Sequence, residues 1–104
     1  MEMMPWTKLA TLSDLPPGSL MEVERGDELY ALCNVDGDVR ALSGVCPHQG
    51  GPLGEGALNG DQVTCPWHAW EFDSASGACA FNERLTIPTY PVRVEGEEIW
   101  VEIA

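Results

Sequence analysis

The chain has 104 residues, with five Lys and Arg against seventeen Asp and Glu and a formal net charge of −12. That length reads as one domain, residues 1–104, with a modest core, and so negative a field makes nucleic acid and anionic membranes poor partners while suiting a basic protein surface. No apolar run approaches the roughly 20 residues of a membrane span, and Glu2, Pro5, Lys8 and Asp14 interrupt the N-terminal stretch too often for a signal peptide, so the expectation is a cytoplasmic monomer.

In chain order, Leu12–Leu15 is the one helical turn expected, with Ser13 as its cap. Pro16-Pro17-Gly18 then leads into three strands, Leu20–Glu24, Glu28–Val35 and Val39–Ser43. They are separated by Arg25-Gly26-Asp27 and by Asp36-Gly37, the second a strong hairpin signal. From Cys46 to Gly60 the chain is rich in glycine and poor in strand formers, which marks a long ordered loop of the kind that carries function. Turn signals recur at Gly60-Asp61, Ser76-Gly77 and Glu95-Gly96. Tyr90–Val94 and Glu98–Ile103 form a last hairpin, in which Val92, Val94, Ile99, Val101 and Ile103 alternate along the strands. The pattern is that of an all-β, antiparallel domain presenting loops.

Those loops hold both histidines of the chain and two of its four cysteines, spaced Cys46-x-His48-x16-Cys65-x2-His68. Thiolate and neutral imidazole are ligands shared by zinc and iron–sulfur sites. Short spacings let each loop supply two donors to one centre, and Pro47 and Pro66 stiffen both loops after their cysteines. Three readings stand side by side. The four residues could be unliganded; they could hold a structural zinc, although a C-x-H pair departs from the usual zinc spacings; or they could hold a [2Fe–2S] centre with two Cys on one iron and two His on the other.

"CPHQGGPL" followed by "CPWHAWEF" resembles the two cluster loops of the Rieske proteins, and "GDQVTC" and "YPVRVEGEEIWVEI" extend the likeness along the chain. The resemblance implies three stacked antiparallel sheets with two cluster-binding loops at one tip, in about residues 44–72. It implies one [2Fe–2S] cluster per chain, with Cys46 and Cys65 on one iron and His48 and His68 on the other. Respiratory members join an extra cysteine in each loop as a disulfide. Here Gly51 and Trp67 stand at those positions, and Trp70 and Phe72 stand where such members place Ser and Tyr hydroxyls. Those departures point to the low-potential branch.

In size and content the chain is similar to the Rieske ferredoxins of ring-hydroxylating oxygenase systems. The implied role is a one-electron carrier, not an enzyme, between a flavin-dependent reductase and a terminal non-heme iron oxygenase. The oxygenase role itself needs a further mononuclear iron held by two His and a carboxylate, and both histidines are already used. Two alternatives remain: the small Rieske-like subunit of an NADH-dependent nitrite reductase, and a zinc-stabilised interaction module. Cys33 and Cys79 lack partners at ligand spacing and read as buried free thiols. Trp67 and Trp70 read as packing that shields the centre.

Overall fold

The computed structural model describes residues 6–46, 50–67, 70–82 and 84–102. Among them, regular structure is β-strand apart from two 3-10 turns, Leu12–Asp14 and Leu53–Glu55, and no helix is long and apolar enough to cross a membrane. The strands are β1 (Trp6–Thr11), β2 (Leu20–Arg25), β3 (Glu28–Val35), β4 (Asp38–Ser43), β5 (Ala57–Asn59), β6 (Gln62–Thr64), β7 (Glu71–Asp73), β8 (Thr89–Tyr90), β9 (Val92–Glu95) and β10 (Glu98–Glu102). They form three antiparallel sheets in the orders β1-β10-β9, β2-β3-β4-β8 and β5-β6-β7. The all-β expectation is met.

The four-stranded sheet is the middle layer, and the alternation of side chains along its strands explains why. Leu32 and Ala41 point into one core, shared with Leu15, Val39, Ile99 and Val101. Their neighbours Cys33 and Leu42 point the other way, into a core with Leu53, Val63, Phe72 and Ile87. With a sheet on each face, β3 is buried along nearly its whole length, unlike a strand with one wet face. Leu32, Leu42, Leu53 and Phe72 are all fully shielded from solvent, each a burial worth about 1.5–3 kcal/mol.

The hairpin between β3 and β4 turns at Asp36 (φ 53°) and Gly37 (φ 96°), the two positive-φ residues that a type I′ turn requires. Asn34 secures it from inside: its Oδ1 accepts the Gly37 N–H at 2.6 Å, and its Nδ2 donates to the Leu15 carbonyl at 2.8 Å.

Three sequence expectations are adjusted. The first helical turn begins after Thr11 without a side-chain cap, so Ser13 lies inside the turn and does not cap it. Tyr90 belongs to β8, paired with Ala41 of β4, and the chain changes sheet at Pro91, which has no N–H to continue a ladder. β1, absent from the expected elements, pairs with β10 from Trp6↔Glu102 to Thr11↔Glu98. Arg93 lies 4.7 Å over the Trp6 ring, and Lys8 pairs with Glu98 at 3.8 Å, which ties this outer sheet across its strands.

Candidate metal centre

Two loops carry the predicted donors, and the backbone closes both in the same way. The first leaves β4 through a collar in which Gly44 N–H donates to the Leu29 carbonyl (2.8 Å), Leu53 N–H donates to the Gly44 carbonyl (2.9 Å), and Val45 bridges to Pro52. Inside it, the Cys46 N–H donates to the Gly51 carbonyl at 2.9 Å. The second loop joins β6 to β7 after the Thr64↔Glu71 pair, and the Cys65 N–H donates to the Trp70 carbonyl at 2.7 Å. In each loop the cysteine amide thus bonds the carbonyl five positions ahead, so the two cysteines sit in matching collars. Both thiols are 1% exposed and free. His48 and His68 lie outside the described residues.

Glycine lets the loops meet. Gly51 is buried, and a Cβ there would come 3.0 Å from the Cys65 sulfur and 3.0 Å from Cγ and Cδ2 of Trp67. A Cβ on Gly56 would run into the Thr64 carbonyl oxygen and press on Pro66 Cδ. Since Thr64 is fixed in a strand, Gly56→Ala should force β5 off β6. We expect a loss of roughly 3 kcal/mol in chemical or thermal unfolding, whereas Gly60→Ala, where a Cβ would meet open space, should cost only the strain of its φ of 65°.

The two thiols also interact electrically. Burial pushes the Cys65 thiol above its ordinary value; the Trp67 N–H, 3.4 Å from its sulfur, acts in the opposite direction, and the neighbouring Cys46 raises it further. A pair of thiols held close and shut off from water suits a cation that takes both sulfurs as ligands. Cys33 and Cys79 lie in the same core as Cys46 and Cys65 and are buried free thiols. Burial raises the Cys33 thiol as well, against the Ser74 hydroxyl and the Arg40 charge. Among the described residues, no group of three or more His, Cys, Asp or Glu side chains forms an alternative metal site.

Around the loops, three large apolar side chains stand in solvent: Val45 (42% exposed), Trp67 (46%) and Phe81 (60%). Phe81 meets Trp70 edge-on at 6.4 Å. Sequence reasoning missed Val45 and Phe81, since nothing local distinguishes an exposed valine or phenylalanine from a buried one.

A carboxyl pair sits where β2 meets the turn that follows the first loop. Gly54 packs against the backbone of Glu22 so closely that a Cβ would come 2.7 Å from the Glu22 Cα. Glu22 Oε1 is shut off from solvent and receives no hydrogen bond among the described residues. Burial, then the Glu55 carboxylate beside it, then Glu24, raise the Glu22 carboxyl above its ordinary value. A carboxyl raised on folding favours the fold while protonated, and that contribution is lost as pH rises through the folded value. At neutral pH the pair therefore pushes β2 away from the turn. Glu22→Gln should stabilise the protein at pH 7 by up to about 1 kcal/mol and leave it unchanged near pH 4, as read by thermal midpoints across that range.

The family model for the Rieske [2Fe-2S] domain matches residues 5–91. The ferredoxin component of biphenyl 2,3-dioxygenase from Rhodococcus jostii (strain RHA1) is 34% identical over 98 residues, covering 93% of this chain and 92% of its own. The ferredoxin in a complex of reduced oxygenase and oxidised ferredoxin of carbazole 1,9a-dioxygenase superposes with a TM-score of 0.85 at 30% identity, over 93% of this chain and 92% of that one. A candidate small subunit of an NADH-dependent nitrite reductase from Mycobacterium tuberculosis superposes with a TM-score of 0.81 at 30% identity, over 92% of each chain.

Proposed function

The chain belongs to the Rieske [2Fe-2S] family, and from that premise we propose that Cys46, His48, Cys65 and His68 hold its single cluster. It is an electron-transfer component of a multicomponent dioxygenase system, not itself a catalyst. The observation that carries the ligand assignment is the pair of matching collars, which present two buried thiols to one another with a histidine close behind each cysteine in sequence. When bound, the cluster supplies a store for one electron at a time.

The residues of the chain do the rest. Cys46 and Cys65 would hold one iron from within the protein, where both thiols are shielded from water. His48 and His68 would hold the other through neutral imidazole. Val45, Trp67 and Phe81 give the tip an apolar contact surface, and the excess of acidic groups steers it towards a basic partner. The partners are a terminal oxygenase, as in the carbazole dioxygenase complex, and upstream of it a flavin-dependent reductase. The place of work is the cytoplasm.

The test is to express the chain with ample iron and measure iron, acid-labile sulfide and the EPR spectrum after reduction. A brown-red protein with a rhombic signal of average g below about 2 supports the reading; stoichiometric zinc in a colourless protein overturns it. The nitrite reductase subunit is a second reading, favoured by the likeness to the mycobacterial protein. Reduction by a dioxygenase-type ferredoxin reductase and reoxidation by its oxygenase decide for the first.

A further inference from the structure

We propose that the Trp67 indole, seated on Gly51, is the noncovalent brace that holds the two ligand loops together on the cysteine side. The inference rests on the cluster assignment above. Gly51 belongs to the first loop, where its carbonyl holds the Cys46 amide at 2.9 Å. Trp67 belongs to the second, where its own amide points at the Cys65 sulfur from 3.4 Å. Each of these residues is therefore tied to one cysteine, and they meet each other across the seam.

The contact is tight on one side only. A Cβ on Gly51 would come 3.0 Å from both the indole and the Cys65 sulfur, so this glycine is present for space: unlike its neighbour Gly50 (φ 76°), it has no positive φ to account for it. The indole lies against that bare backbone and beside the sulfur, yet it is 46% exposed, so its outer face looks into solvent. A ring in that position contributes little to either hydrophobic core. What it does is cover Cys65 and resist separation of the loops. A shorter side chain leaves the seam open to water and to chelators.

The experiment uses the cluster-loaded protein and follows the decay of its visible absorbance and circular dichroism under an iron chelator, with the unfolding midpoint of the cluster-free protein as a control on the fold. Trp67→Ala should shorten the cluster half-life roughly tenfold, the rate equivalent of one lost aromatic contact, while the unfolding midpoint stays put. Trp67→Phe should restore most of it. Gly51→Ala should shorten the half-life in the wild-type background and add less than its full factor in Trp67→Ala. An unchanged half-life in Trp67→Ala overturns the brace, as do failure of Trp67→Phe to rescue and effects that multiply fully in the double variant. Wild-type protein that takes up no cluster overturns the ligand assignment instead, so the two failures are distinct.

Discussion

Alanine in place of His48 or of Cys65 is expected to leave the purified protein without iron, whereas Cys33→Ser and Cys79→Ser keep a full [2Fe–2S] complement. Each of the four proposed donors makes one bond, and loss of any one opens an iron position that no described side chain can fill. Cys46 and Cys65 are the stricter cases, because both are 1% exposed and sit inside the core. Cys33 faces the Ser74 hydroxyl and the Arg40 guanidinium, which bond each other at 2.8 Å and can accommodate a new hydroxyl. Among the described residues Cys79 has no such partner, so its serine variant should lose about 1–3 kcal/mol of stability to a buried hydroxyl while its iron content stays unchanged. The measurement is iron and acid-labile sulfide per chain, alongside visible circular dichroism. Loss of iron on Cys79→Ser alone would show that the donors are misassigned.

The second large effect concerns the reduction potential, expected near the low end of the Rieske range, about −150 mV at neutral pH, and far from its upper end near +300 mV. Hydroxyl donors to the cluster's sulfurs stabilise the reduced, more negative state and raise the potential. Trp70 and Phe72 carry no hydroxyl, and Phe72 is wholly buried in the core beneath the site. The Trp67 amide is directed at the Cys65 sulfur, and at 3.4 Å the bond is long. A net charge of −12 further opposes an added electron. With the proposed ligand set, two neutral imidazoles in place of two thiolates would make the centre less negative than a four-cysteine cluster, so the value is expected above the about −400 mV of plant-type ferredoxins. Voltammetry that returns a clearly positive midpoint would refute the argument.

How much of this was legible beforehand depended on how local the signal was. The donor spacing and the hairpin at Asp36-Gly37 sit within a few residues and carry their chemistry in residue type, so they could be read directly. Strands β5, β6 and β7 have three residues each and β8 has two, too few for an alternation to show. The expected loop from Cys46 to Gly60 accordingly contains both a 3-10 turn and β5. Which glycine serves which purpose was equally hidden. Gly50 and Gly51 are adjacent and identical in sequence, yet the first supplies a backbone angle and the second supplies room. That distinction belongs to the packed state, as does the pairing of Glu22 with Glu55.

The pairing of β1 with β10 also carries a consequence for the order of events in folding. The ligand loops and the meander β5-β6-β7 close over short stretches of chain, but Trp6 must find Glu102 across almost the whole of it. Closing so long a loop is entropically costly and slow. During synthesis the first strand emerges long before its partner and has to wait for the last. Assembly of the ligand region can therefore run ahead of the outer sheet, and iron can meet a nascent chain whose ends are still apart.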